Sequence, residues 1–242
     1  MMFNALSKVT LLDHSARDLQ IGVRFRHFRG GPEAELVNQF LASAPFRPPS
    51  GFRMTLFREP KIDSGFPDLV AVIWSERVAQ SWLPERHHLQ NSDLRLLHYL
   101  ALNGATPEAL LRRTVPRSLT AALDRLQAAQ MVSFVKGHWK PRPVSQLFAA
   151  RSIIAIEAKL THTTAAIGQA VLNTWFASES YVLLPKLPRS SRPHTTAQRH
   201  GISFCVTGSR LRLGTSLVAP RSYASWLFNE WALRAACPAG PN

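Results

Sequence analysis

The chain has 242 residues and a net charge of +14, from 29 Lys and Arg against 15 Asp and Glu, with arginine carrying most of it. That surplus points to a polyanionic partner, nucleic acid foremost, and the absence of a long amphipathic basic helix argues against a membrane-surface role. No run of about 18 apolar residues and no signal-peptide layout occurs; Cys205 and Cys237 lack metal-type spacing, so the expected setting is the reducing cytoplasm, with no membrane partner.

With 45% hydrophobic residues, the length suits one domain carrying an insertion or two small domains. Val23-Arg24-Phe25-Arg26-His27-Phe28-Arg29 reads as a basic edge strand or extended arm, either solvated or laid along a nucleic-acid backbone. Gly30-Gly31-Pro32 breaks the chain, and Glu33 to Ala44 reads as a helix with proline at its start. Leu36, Val37, Phe40 and Leu41 form its apolar stripe. At about 100° per residue Glu33 falls within that stripe and Glu35 outside it. Two roles stay open for Glu33: an inward-facing ligand, or an acid answering the helix dipole.

After a loop from Pro45 to Gly51, Met54 to Ile62 reads as a strand, and a Ser64-Gly65 turn leads into a second apolar strand, Gly65 to Trp74. Asp68 is its single acid, and Glu59 is either a further ligand or an exposed side chain. Ser75 to Gln90 is polar, ends in His87-His88 and reads as a linker.

From Ser92 three short helices are expected. The first carries Leu94, Leu97, His98 and Ala101 on one face and stops at Asn103-Gly104. The second is capped by Thr106-Pro107-Glu108, and the third runs from about Pro116 to Gln130. Val132 to Val135 and His138 to Lys140, joined by Lys136-Gly137, complete a hairpin. Three helices and a basic hairpin resemble a winged helix-turn-helix. The resemblance implies a third helix whose outer face, Arg117, Ser118, Thr120 and Arg125, meets a DNA groove, and a wing tipped by Lys136, His138 and Lys140 on the phosphates. The same module also serves protein contacts.

Pro141-Arg142-Pro143 returns the chain to Ser152–Leu160, an isoleucine-rich run with the length of a buried strand. Alternation places Glu157 and Lys159 on one face with Ile153 and Ala155. Burying both charges costs several kcal/mol unless each finds a partner. A metal ion and an anionic substrate would supply both; a strand ending at Glu157, with an ordinary surface ion pair, is the other reading. Thr161 to Phe176 reads as a helix with Gln169, Leu172 and Phe176 on one face, Gln169 pointing partly inward toward the site or toward a backbone carbonyl. Ser180 to Pro185 completes a strand–helix–strand unit that should cross over right-handedly. A basic loop, Arg189 to Pro193, precedes a short helix through Gln198-Arg199-His200, the strand Gly201 to Val206 and a terminal helix, Ser222 to Ala236, packed on the core or on a second subunit.

Pro67-Asp68 followed by Glu157-Ala158-Lys159, both in hydrophobic strands, resembles the PD-(D/E)XK nuclease superfamily. The resemblance implies an α/β fold: a restriction-endonuclease-like mixed central sheet flanked by helices, its core at 1–85 and 144–242, with the winged-helix module inserted at 86–143. It implies a metal-dependent DNA endonuclease, a hydrolase of phosphodiester bonds serving in defence against foreign DNA or in DNA repair. Mg²⁺ or Mn²⁺ would be held by Asp68, Glu157, the Ala158 carbonyl and Glu33, the last because Glu33-Ala34-Glu35-Leu36-Val37 matches a Glu-X-X-Leu-Val context of that family's first helix. Lys159 would orient water or offset developing charge, and Gln169 would stand near the active centre. DNA is the implied partner, and a homodimer is compatible with cutting both strands. The alternative is a DNA-binding regulator or complex subunit on a nuclease-like scaffold without cleavage.

Overall fold

The computed structural model describes residues 8–15, 23–27, 30–114, 119–162 and 164–236. A short first strand, β1 (Val9–Leu12), precedes helix α1 (Pro32–Ala42). Strand β2 (Phe52–Arg58) stops where Glu59 takes a left-handed φ of 49° and Pro60 follows, four residues before the predicted end at Ile62. Strand β3 (Leu69–Ser75) is buried throughout.

The stretch expected as a polar linker folds into helix α2 (Glu76–Ala79) and a 3-10 helix, Pro84–His88. Trp82 and Arg86 are buried there, because both reach the same carboxylate, Glu230. Then come α3 (Asn91–Asn103), β4 (Thr106–Pro107), α4 (Glu108–Thr114), α5 (Leu119–Ala128), β5 (Val132–Val135) and β6 (His138–Pro141). The two-residue strand β4 was not expected; it adds to the hairpin to make a three-stranded sheet in the order β4-β6-β5.

Helix α6 (Val144–Leu147) leads into β7 (Ala150–Ala158), followed by α7 (Thr164–Asn173), β8 (Glu179–Leu184), α8 (Ser191–Arg199), β9 (Ile202–Val206) and α9 (Tyr223–Ala236). The predicted basic loop at 189–193 is partly taken up by α8. The central sheet has six strands in the order β1-β2-β3-β7-β8-β9. β3 runs antiparallel to both of its neighbours, β2 and β7; β8 and β9 continue from β7 in parallel, and β1 joins β2 in parallel. The protein is therefore a mixed α/β fold, its central sheet flanked by helices.

Alternation along the strands sorts the core into two faces. Leu69, Ala71, Ile73, Ile154 and Ile156 pack with Leu36, Val37 and Phe40 of α1. Val70, Val72, Trp74, Ile153 and Ala155 pack with α9 and the inserted helices. Helix α9, from Tyr223 to Arg234, is buried against this chain's own sheet, which decides between the two packings open for it. Among the described residues no helix is long and apolar enough to cross a membrane.

Candidate functional site

The site lies at one end of the sheet, where β3 begins and β7 ends. Leu69 is the register partner of Ile156 in this antiparallel pair, so the next rung outward sets Asp68 against Glu157. The pairing of two strands thus brings together acids that are 89 positions apart in the chain. The Asp68 carboxylate is anchored by the backbone: Ala158 N–H donates to Oδ2 at 2.7 Å.

Burial pushes the Glu157 carboxyl up to about 7, and the neighbouring Asp68 carboxylate adds to the rise. Asp68 is raised too, again chiefly by burial, with Lys159 and the Ala158 N–H pulling the other way and Glu33 and Glu59 adding repulsion. Two carboxylates pressed together out of water each favour a proton or a cation.

Glu157 has a partner that was not anticipated. Asn173 Nδ2 donates to Glu157 Oε1 at 2.7 Å, and both residues are buried. The reason is the phase of α7. Its inner face is Ala166, Ile167, Ala170 and Asn173, packed on Val182 and Leu184, and Val182 is the register partner of Glu157. The predicted stripe of Gln169, Leu172 and Phe176 used a residue beyond the helix end. Gln169 is exposed, and Leu172 stands 57% exposed.

Lys159 lies just past β7, although Ser152–Leu160 was expected as one strand. Its backbone N–H still donates to Leu183 O at 2.9 Å, but its side chain turns to α1 and meets Glu33 at 3.3 and 3.4 Å. Glu33 is half-exposed at the rim, its side chain 46% accessible. Glu35, as expected, points elsewhere, accepting from Gln39 at 3.1 Å. Glu59 joins the rim from the end of β2. Its side chain is 14% accessible, 3.8 Å from Arg26, and its Oε2 is buried without a hydrogen-bond partner. Glu33, Glu59 and Asp68 line a cleft of about 370 Å³ together with Arg26 and Arg58.

These are hard oxygen donors of the kind Mg²⁺ and Mn²⁺ take, and the mutual repulsion of Asp68 and Glu157 suits a cation, as does Glu59 Oε2, which has the Arg26 charge at 3.8 Å but no hydrogen bond. The donors are not assembled in number: among the described residues no group of three His, Cys, Asp or Glu is arranged to hold a metal ion. Glu33 is engaged by Lys159 instead. The Ala158 carbonyl belongs to a fully buried residue between Glu157 and Lys159. His162 and His200 are exposed.

A titration follows from this burial. The folded chain keeps the Glu157 proton up to about pH 7, whereas a solvated glutamate releases it near 4.5. The folded state therefore binds more protons across that window. The stabilisation is complete below the unfolded value and is lost as pH rises through the folded one. In chelator, the wild type should lose on the order of 3 kcal/mol relative to Glu157→Gln between those limits, read from urea midpoints. Parallel pH profiles for the two proteins would show that Glu157 is solvated.

In the inserted module, Thr120, Lys136, His138 and Lys140 are exposed, and His138 Nδ1 sits 2.9 Å from Lys136 O. Arg117 and Ser118 lie outside the described residues. Arg125 is not presented outward as expected. It forms a two-pronged pair with Asp93, Nε and Nη2 each at 2.7 Å from a carboxylate oxygen. Asp93 is fully buried and also caps α3 by accepting from Gln90 N–H at 2.8 Å. Arg125 thus neutralises a buried charge and ties α5 to α3.

Comparison with protein-family models, with curated protein sequences and with solved structures finds no match to this chain.

Proposed function

We propose that the chain is a metal-dependent DNA endonuclease of the PD-(D/E)XK type, hydrolysing phosphodiester bonds. The observation that carries this reading is the meeting of Asp68 and Glu157 across β3 and β7, with Lys159 beside them. The mixed sheet is read as a restriction-endonuclease-like core. The order helix, strand, helix, helix, strand, strand from α3 to β6 supports reading the insertion as a winged helix-turn-helix.

Asp68 and Glu157, with the Ala158 carbonyl and Glu33, would hold Mg²⁺ or Mn²⁺, which when bound supplies charge neutralisation at the phosphate and a more acidic water. Asn173 fixes one oxygen of Glu157 and leaves the other for the site. The Ala158 N–H does the same for Asp68. Lys159, tethered by Glu33, carries a positive charge to the rim, where it orients the attacking water or stabilises the negative charge that develops on the phosphoryl oxygens. Thr120, Lys136, His138 and Lys140 would hold the duplex, chiefly through its phosphates.

The reading is tested by incubating plasmid and single-stranded DNA with Mg²⁺ or Mn²⁺ and either wild type or Asp68→Ala. Cleavage that needs the metal and disappears in the variant is the expected result. The second reading, a DNA-binding regulator or subunit without cleavage, draws on one observation: Glu33 is paired with Lys159 and no three-ligand group is assembled among the described residues. Binding with no cut across metals and substrate forms would establish it.

A further inference from the structure

The strip that separates the carboxylate cleft from the inserted module is basic on both sides. Residues 23–27 lie along the end of β2 in extended pairing. Arg26 N–H donates to Glu59 O at 3.0 Å, Lys61 N–H donates to Arg24 O at 2.7 Å, and Phe25 bridges Pro60. This short ladder is a shared wall. Arg26 and Glu59 line the carboxylate cleft on one side. Arg24 and Lys61 line a second cleft, of about 530 Å³, on the other. Across that second cleft stands Asn91, in the first turn of α3, and its floor includes Tyr223 and Trp231 of α9.

The charge balance in the second cleft is positive. Arg24 and Lys61 are exposed, and neither has a carboxylate within ion-pair distance among the described residues. The acid in the same wall, Asp63, is already paired with Arg95 at 3.0 Å. Arg95 in turn lies 3.7 Å over the Tyr223 ring, which closes that ring to stacking by a base, and Trp231 is buried. What the cleft offers is two cations above a buried apolar floor, where a concave low-dielectric wall concentrates the field. It suits phosphate rather than a nucleobase.

We propose that Arg24 and Lys61 form a phosphate track that carries the nucleic-acid backbone from the carboxylate cleft to the α3 side of the inserted module. The inference rests on the nucleic-acid reading above and adds the path the substrate takes. Arg26, paired with Glu59 at the other end of the same ladder, makes the track continuous with the reacting end. The inserted module then needs no flexible tether to share one substrate with the sheet, because the strip between them is itself a contact.

The test is fluorescence anisotropy with a labelled duplex in EDTA, between about 50 and 200 mM salt. Binding is thus measured without hydrolysis. Arg24→Ala/Lys61→Ala should bind on the order of tens-fold more weakly near 100 mM, and the slope of log affinity against log salt should flatten by roughly two contacts, about 1.8. The control Arg192→Ala/Arg199→Ala removes the same charge from the exposed side of α8 and should stay near wild type. Thermal melts of both variants confirm that each is folded. Unchanged affinity in the Arg24/Lys61 variant, or an equal loss in the control, overturns the track while leaving the nuclease reading intact. A wild type that binds no duplex removes both. A wild type that binds without cutting, with the loss confined to the Arg24/Lys61 variant, keeps the track and removes hydrolysis. Loss of adhesion to anionic vesicles with unaltered duplex binding would overturn the proposal in favour of a lipid surface.

Discussion

Lys159→Ala should slow metal-dependent DNA cleavage by about 10²- to 10³-fold and leave the folded state nearly as stable as before. The two effects are separable because of where the lysine sits. Its partner Glu33 is half-exposed and the pair spans 3.3 Å with side-chain accessibilities of 22% and 46%. Ion pairs in such surroundings contribute about 1 kcal/mol or less. A structural role would therefore register as a small change in the urea midpoint and nothing more. A role at the phosphate would appear in the rate, because a positive charge is lost where negative charge accumulates. Lys159→Arg, which keeps the charge and changes its shape, should recover part of the rate. Full activity in Lys159→Ala would remove the lysine from the mechanism.

Glu230→Ala should destabilise the fold by about 3–5 kcal/mol, more than any surface substitution. Glu230 is 1% exposed. It accepts from Arg86 Nε at 3.0 Å and from Trp82 Nε1 at 3.3 Å, and forms an ion pair with the Arg86 guanidinium. Arg86 also donates to Leu147 O at 3.0 Å, and Arg234 donates to the Arg86 and Leu89 carbonyls at 2.6 and 3.0 Å. Removing the one acid leaves two guanidinium groups buried with no anion between them. Burial already holds Arg234 below the ordinary arginine range, with Glu230 opposing that shift. The exposed pair Arg95–Asp63, at side-chain accessibilities of 55% and 65%, is the contrast: Asp63→Ala should cost about 1 kcal/mol or less. Comparable losses in the two variants, measured by urea unfolding, would show that the Glu230 network is hydrated.

The apolar runs were legible because their periodicity is strong. The isoleucine-rich stretch, the strand before Trp74 and the stripe of α1 all reflect a buried face recurring at two or about 3.6 residues, and the register that sets Asp68 against Glu157 follows from them. What could not be read was any contact made by a polar residue inside the core. Asn173 gives no signal of its own, since an asparagine near a helix end is equally suited to capping. The segment from Ser75 to Gln90 looks hydrophilic because its arginines, histidines and glutamates dominate the count, yet Trp82 and Arg86 are buried by an acid in a helix that begins at Tyr223. Arg125 was placed on an outer face by helical phase alone, and the attraction of Asp93, from another helix, overrode that placement.

The inserted module leaves and rejoins the sheet at neighbouring points. Ser75 N–H donates to Ala149 O at 2.9 Å, and Trp74 is the register partner of Ala150. As far as the ladder is concerned, everything between those residues occupies the position of a hairpin turn and could be excised without stretching β3 or β7. The side chains forbid a simple excision. Arg86 and Trp82 would depart with the module and strand Glu230 in an apolar wall, so a minimal core would also need that glutamate, and Arg234 with it, exchanged for hydrophobic residues of similar volume.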